Sequence, residues 1–286
     1  MADIIRIDSE EFVCELACDT PAAVEVAPGS TLVVHCRSAA DRFVGPGPVR
    51  AEAPNPATGP IAVAGAQPGQ ALRFEILEVV PESPGHVSAT SDGGQQAVQI
   101  RQGKAVFHGI EIPIAPMIGV LGVAPAAGSW TTMDAGPYGG NMDINDVCPG
   151  ASVVVPVFQP GGRFVLGDVH AVMGDGEIGG QGLEAAATVT MRVDIDPQPI
   201  GDHIVIYRDG RIMAVGAAET IEDAVRDAVE AMTKLIVRHG GTDIPDELGA
   251  RKLLGLAGRT LFGQHCCRIK TVRVAVPLEY LPGLRR

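Results

Sequence analysis

The chain has 286 residues, a formal net charge of −12, 46% hydrophobic residues and 20% charged residues. This composition excludes a disordered or fibrous protein, and the negative charge argues against a nucleic-acid partner because it repels phosphate. The sequence contains no run of about 18 apolar residues, so no membrane span is predicted. The N-terminus lacks the basic start and apolar run of a secretory signal. We therefore expect a soluble protein with no membrane partner.

The cysteines indicate the redox setting. Of the six, Cys266 and Cys267 are adjacent in sequence. On a strand their side chains would point in opposite directions and would not readily form a disulfide. We therefore expect reduced thiols and a cytoplasmic location.

Turn residues set the pattern of the first two thirds of the chain. A Pro-Gly pair precedes an apolar or alternating segment three times, at Pro28-Gly29, Pro68-Gly69 and Pro149-Gly150. Each pair predicts a turn that starts a strand. Asp209-Gly210 predicts a tight hairpin. Further strands are predicted at Ala97–Ile100, Ile110–Ile114, Arg163–Leu166, Ala187–Ile195, His203–Tyr207, Arg211–Val215 and Arg268–Val276.

The C-terminal part contains the one clear helical pattern. Between Ile221 and Arg238 apolar residues recur at three- and four-residue steps, with Thr220 as the predicted N-cap. A shorter helix is predicted at Asp246–Leu256. These elements predict a mainly β protein with α/β additions. We expect a β-sandwich body over residues 1–199 and a helical α/β part over residues 200–286, either packed on the body or continuous with it.

Groups able to bind a cation or transfer a proton are concentrated in a glycine-rich stretch. In an extended segment Asp168 and His170 would face the same side, which suits a divalent ion such as zinc with a position left for water. The alternative is that Asp168 accepts hydrogen bonds from turn amides and His170 is a structural histidine. After Asp134, the stretch 134–184 holds seven carboxyl or imidazole groups: Asp143, Asp146, Asp168, His170, Asp175, Glu177 and Glu184.

Two neighbouring units have both a structural and a catalytic interpretation. Asp175-Gly176-Glu177 is typical of a solvated turn, but Glu177 could also bind a metal or act as a general base. Gly139-Gly140 before Asn141 predicts a tight loop. Such a loop can direct backbone N–H groups at an oxyanion, although unliganded glycine-rich loops are common.

Several long motifs occur together in one order. They are Asn55–Pro60, Pro116–Pro125, Pro137–Asp143, Gly167–Ala171 and Gly174–Glu177. In this combination the chain resembles the acetamidase/formamidase family from about Pro28 to Asp196, with a weaker match to the C-terminus. The resemblance implies a jelly-roll-like β-sandwich with added α/β structure. It also implies an oligomer, a dimer or trimer, that hydrolyses short linear amides to a carboxylate and ammonia.

The resemblance also implies which residues act. It places a divalent metal, zinc or else calcium, on Asp41, Asp143, Asp168 and His170. Asp41 is included because it lies where the family has an acidic residue after an early strand. Glu177 is the expected base and Asn141 the expected oxyanion donor. Substrate contacts are expected from Tyr138, Gly140 and Met173.

Two departures and two alternatives accompany this hypothesis. Family members commonly have His in place of Tyr138 and Gln in place of Met173, so the preferred amide could differ. Cys148 beside the acidic stretch offers a cysteine nucleophile as a rival mechanism. A calcium- or ligand-binding β-sandwich without catalysis is the alternative function, which His170 disfavours because calcium prefers oxygen ligands.

Overall fold

The computed structural model describes residues 4–39, 55–88, 94–196, 201–241, 244 and 246–284. Among these residues strands predominate, and two α-helices lie in the C-terminal part. In chain order the elements are β1 Ile4–Ile7, β2 Phe12–Val13, β3 Glu15–Ala17, β4 Val24–Val26, β5 Ser30–Cys36, β6 Ala57–Val63, β7 Ala71–Pro81, β8 Gly85–Val87, β9 Gln96–Arg101, β10 Lys104–Phe107, β11 Ile110–Pro113, β12 Met117–Val123, β13 Ser129–Thr131, β14 Ala135–Gly136, β15 Gly139–Asn141, β16 Ser152–Pro156, β17 Phe164–His170, β18 Ala187–Asp196, β19 Val205–Arg208, β20 Arg211–Ala218, α1 Ile221–His239, α2 Glu247–Ala257, β21 Arg259–Phe262 and β22 Lys270–Pro277.

Two sheets face each other across the main core. The nine-stranded sheet has the order β1-β5-β18-β7-β16-β19-β20-β22-β21, and the seven-stranded sheet contains β14-β15-β12-β17-β6-β2 with β4 also on β6. Phe74 of β7 and Phe164 of β17 are both fully buried, with ring centroids 4.8 Å apart in an edge-to-face contact. Apolar side chains of both sheets form one buried cluster around this pair. Burial of these faces is the main stabilising contribution.

The long helix covers the other face of the nine-stranded sheet. α1 begins after Thr220, whose side chain accepts a hydrogen bond from the Asp223 N–H, as the capping pattern predicts. Its buried alanines let it approach β20 closely. A Cβ at Gly216 would collide with the α1 backbone at Ala224 and Ala228. Small residues on both sides of this contact therefore set the distance between helix and sheet.

Most predicted elements are confirmed. β5, β7 and β16 each follow one of the three Pro-Gly turns. Arg208 pairs with Arg211 around Asp209-Gly210, and both turn residues have positive φ. The last strand was predicted two residues too early, since β22 begins at Lys270. Cys266 and Cys267 precede it in a bend, so the expectation that they point apart on a strand is wrong.

The mainly β architecture with α/β additions is confirmed, while the jelly-roll detail stays a prediction. β16 pairs with β19, so the nine-stranded sheet continues across residue 199. On this basis we propose that residues 201–284 fold together with the body. The division of the chain at residue 199 stays a prediction. Neither α1 nor α2 is long and apolar enough to cross a bilayer.

Candidate active site

The end of β17 positions the first two predicted ligands. β17 is buried along its whole length between β12 and β6. Asp168 has φ +54°, so the strand is locally not extended there. His170 Nε2 nevertheless lies 3.6 Å from Asp168 Oδ1. The two side chains therefore meet as the spacing predicts, although the backbone reaches this geometry through a left-handed residue and not a regular strand.

The loop after β15 brings Asp143 to the same place. The N–H groups of Met142 and Asp143 donate to the carbonyl oxygen of Gly119 at 2.9 and 3.2 Å. Gly119 lies in β12 opposite Asp168. A Cβ at Gly119 would collide with the Asp143 carboxylate and lie 2.7 Å from the Asp168 carbonyl oxygen. Only glycine leaves room for two carboxylates at this point of the strand.

The segment after β17 adds two glutamates. Glu177 follows Gly176 in a turn and has φ +50°. Glu184 pairs with His170 and with His86 through antiparallel bridges, and its Oε1 lies 3.2 Å from His170 Nε2. Glu177 was a predicted catalytic residue. Glu184 was part of the acidic stretch but had no assigned role, because no local motif reveals its pairing with His170.

These five residues form one buried cluster. Their side chains are at most 5% exposed. The donor atoms of Asp143, Asp168 and His170 lie within 4.8 Å of one another, and so do those of His170, Glu177 and Glu184. In the part of the chain that the structure describes, no lysine or arginine pairs with Asp143, Glu177 or Glu184. We call these five residues the acidic cluster.

Burial and mutual repulsion shift the proton equilibria of this cluster. Burial raises the pKa of Asp143 well above its usual range, and the charges of Glu177 and Asp168 raise it further. Burial raises the pKa values of Glu177 and Glu184 to about 8. Burial lowers the pKa of His170, but the charges and hydrogen bonds of Glu184 and Asp168 outweigh it and raise that pKa well above its usual value. The four carboxyl groups therefore repel one another when ionised, and within the cluster His170 is the group that can carry a positive charge.

The residues present fit a divalent cation. Asp143 Oδ1, Glu184 Oε2 and His170 Nδ1 are buried and have no hydrogen-bond partner among the described residues. Leaving such atoms unsatisfied costs free energy, which a bound cation would offset for the oxygens. Carboxylate oxygens with one imidazole suit zinc, or a similar transition metal, better than calcium.

Residues around the cluster orient it. Asn55 Nδ2 donates to Asp168 Oδ2 at 2.8 Å and approaches Asn141 Oδ1 at 3.4 Å. Asn141 Nδ2 in turn lies 3.6 Å from Cys267 Sγ, and Cys266 Sγ donates to Glu177 Oε2 at 2.9 Å. No sequence pattern assigns Asn55 a role beyond its motif or places the two cysteines here. Their proximity depends on contacts between residues far apart in sequence.

The residues predicted to contact substrate are close in sequence to members of the cluster, but their described contacts are with other residues. Tyr138 stacks on Trp130 with centroids 4.8 Å apart, and burial raises the pKa of its hydroxyl to about 12. Gly140 has φ +90° and packs against the Tyr138 ring. Met173 forms a buried apolar group with Met117 and Cys148. No described contact joins Tyr138 or Met173 directly to the acidic cluster.

The other residues of the acidic stretch lie elsewhere. Asp146 is held by ion pairs to Arg208 at 3.0 Å and to Arg273 at 2.5 Å. The side chain of Asp175 is 60% exposed, so it is solvated as the turn interpretation predicts. Asp41 lies outside the described residues.

Cys148 is poorly suited to act as a nucleophile. Its thiol contacts the carbonyl oxygen of Pro149 at 3.8 Å and packs with Met117 and Met173. Burial raises the pKa of this thiol to about 11. Because the thiolate is the reactive form, a raised pKa disfavours attack by Cys148.

Several similar proteins are named as acetamidases or formamidases. The model of the Acetamidase/Formamidase family matches residues 126–205. One solved structure is that of a predicted acetamidase/formamidase from Thermoanaerobacter tengcongensis. Its sequence is 30% identical to this chain over 100% of both chains, and the TM-score is 0.92. The acetamidase of Bacillus halodurans is 28% identical over 99% of this chain and 100% of its own, with a TM-score of 0.91.

A curated Schizosaccharomyces pombe protein, named as a formamidase, is 40% identical over 65 residues. That match covers 22% of this chain and 16% of the yeast protein. The match to the full length of the Thermoanaerobacter chain therefore has more weight for classification. It includes every segment that contributes to the acidic cluster. The chain belongs to the acetamidase/formamidase family, a family named for amidohydrolases that act on short amides.

Proposed function

We propose that this protein hydrolyses short linear amides to a carboxylate and ammonia, and that it does so with a divalent metal. The observation that supports this most is the acidic cluster, in which four carboxyls and one imidazole meet in a buried space. Repulsion among buried carboxylates destabilises the folded protein unless a cation or a proton neutralises them. The family membership supplies the substrate class.

Asp143, Asp168 and His170 are the proposed metal ligands. Glu184 contacts Nε2, the ring nitrogen that also faces Asp168, so its carboxylate would lie beside the bound ion as a further negative charge. Asp41 is a further proposed ligand. An ion held there would supply a Lewis acid and a source of hydroxide near neutral pH. Zinc is the ion we propose, because it accepts this mixed donor set.

Glu177 is the proposed proton carrier. It would take a proton from the attacking water and deliver it to the leaving nitrogen. With its pKa raised to about 8, its two protonation states interconvert near neutral pH, which suits both steps. Asn141 would donate from its amide nitrogen to the oxyanion that forms at the substrate carbonyl. Its side chain lies between Asn55 and Cys267, so its orientation is fixed before substrate binds.

We propose that Tyr138, Gly140 and Met173 define the substrate space. Met173 contributes an apolar surface, which favours an amide larger or less polar than formamide. We also propose a homo-oligomer, a dimer or trimer, in the cytoplasm. The free thiols of all six cysteines are compatible with a reducing compartment.

The test is ammonia release from formamide, acetamide and propionamide, before and after chelation and after zinc is restored. Chelator-sensitive release restored by zinc supports the proposal, and Glu177→Gln should abolish turnover while the protein stays folded. Ammonia release that survives complete metal removal would refute the metal dependence. Calcium without zinc in the purified protein, together with no hydrolysis, would favour a non-catalytic ligand-binding protein.

A further inference from the structure

A second group of metal-binding atoms lies at the open side of the acidic cluster. Oxygen of Glu177 and the Sγ atoms of Cys266 and Cys267 lie within 4.8 Å of one another. Cys266 is exposed and Cys267 is half-buried, so solvent reaches this group more readily than the buried ligands behind it. Two thiols beside a carboxylate form a donor set chemically different from that of Asp143, Asp168 and His170.

The backbone of this bend is held in place before any ligand binds. Gln264 is 1% exposed, and its side chain accepts from the Cys267 N–H at 2.9 Å and donates to the Ile269 carbonyl oxygen at 2.5 Å. His265 is held by the Gly176 carbonyl oxygen at 2.9 Å, which ties the bend to the turn that carries Glu177. Both sulfurs are thereby kept on the side of Glu177, although adjacent residues of a strand would diverge.

The spacing matches a small ion with soft ligands. For zinc, bonds of about 2.0 Å to oxygen and 2.3 Å to sulfur place tetrahedral ligands about 3.5–4 Å apart. The three donors need to move by less than about 1 Å each to reach that spacing. Thiolates select thiophilic d¹⁰ ions such as zinc and cadmium over calcium or magnesium. Each thiol that binds releases its proton to solvent.

We propose that Glu177, Cys266 and Cys267 form a second, inhibitory binding site for thiophilic divalent cations. Occupation of this site removes Glu177 from proton transfer and so slows amide hydrolysis. The inhibitory effect depends on the proposed function, whereas the binding itself does not. The site makes the enzyme sensitive to excess zinc and to cadmium at concentrations that leave the primary metal in place.

The first experiment measures cadmium binding to the zinc-loaded full chain. One equivalent of Cd²⁺ should produce the ultraviolet charge-transfer absorption of cadmium thiolates, and Ca²⁺ should not. In the double variant Cys266→Ser/Cys267→Ser the band should disappear and the affinity for Cd²⁺ should fall by more than about tenfold. A loss of about tenfold is the smallest usually caused by removing a residue that only hydrogen-bonds to a metal ligand, and here two ligands are removed. Cys18→Ser, which alters a half-buried thiol elsewhere, should retain the band.

The second experiment needs no variant. Alkylation followed by peptide mapping should show that Cd²⁺ protects Cys266 and Cys267 but leaves the labelling of Cys18 unchanged. Equal labelling of both cysteines with and without Cd²⁺ would overturn the proposal. So would an unchanged charge-transfer band in a folded double variant.

Measurements of inhibition test the second metal site separately from the proposed hydrolase activity. Cd²⁺ should inhibit ammonia release by the wild-type enzyme at concentrations more than about tenfold below those needed for the double variant. A charge-transfer band in a protein that hydrolyses no amide would refute the hydrolase proposal and support the site. Metal-dependent hydrolysis without a band or thiol protection would refute the site and support the hydrolase.

Discussion

His170 Nε2 lies 3.2 Å from Glu184 Oε1, and the same two residues form an antiparallel bridge. The backbone pairing holds the two residues side by side, which keeps the carboxylate within reach of the imidazole. Glu184 is therefore a positioning residue for His170, and it also adds negative charge to the acidic cluster.

Glu184→Gln should weaken metal binding by about 10–100-fold, because the ring loses a charged partner and the cluster loses one negative charge. Competition with a chromophoric chelator measures the affinity directly. Asp175→Asn is the matched control, since Asp175 is exposed, lies in the same segment and should leave the affinity unchanged. Equal affinities for wild type and Glu184→Gln would remove Glu184 from the site.

Gly119→Ala should destabilise the protein by about 1–3 kcal/mol and displace Asp143, because the new methyl group meets two carboxylate-bearing residues. Urea unfolding gives the stability and metal content gives the effect on the site. Gly174→Ala is the control, because a Cβ there has nothing within 4 Å. If both variants lose the same amount of stability, the close approach at Gly119 is not the cause.

The metal-free protein should lose stability as pH rises. The folded pKa values of Glu177 and Glu184 are raised to about 8 from 4.5, and those of Asp143 and His170 are raised as well. At these groups the folded protein then binds more protons than the unfolded chain, so the contribution of Glu177 and Glu184 is complete below pH 4.5 and is lost as pH rises to about 8.

Scanning calorimetry of the chelated protein between pH 5 and 8 checks this sign. Zinc should raise the Tm most at the upper end of the range, because the carboxylates are then ionised. The difference in Tm between wild type and Glu184→Gln isolates the contribution of one carboxyl. A chelated wild-type protein that becomes more stable than Glu184→Gln as pH rises would contradict the predicted direction.

Met173→Gln should destabilise the protein by about 1–3 kcal/mol, because the amide would enter an apolar group formed with Met117 and Cys148. If Met173 also contacts substrate, the ratio of kcat/KM for formamide to that for propionamide should rise in the same variant. Met173→Leu preserves the apolar character and should leave that ratio unchanged. A changed stability with an unchanged ratio would confine Met173 to a packing role.

Local sequence patterns predicted the strands, the α1 helix and the pairing of Asp168 with His170, because each depends on residues within one turn or one strand. Glu184 could not be found in this way. Its role depends on bridges to His86 and His170 that a sequence pattern does not encode. Asn55 reaches Asp168 across 113 residues for the same reason. The resemblance to a family supplied the substrate class, which no spacing of residues contains.

The segment around the two cysteines links closure of the acidic cluster to the docking of β22. Thr271, at the start of β22, donates to the carbonyl oxygen of Met142 beside Asp143, and Gly263 packs against the same carbonyl. The wall of the acidic cluster is thus completed by a segment far from Asp143 in sequence. Until β22 docks on the loop after β15, the ligands of the cluster are open to solvent, so enclosure of an ion depends on that long-range contact.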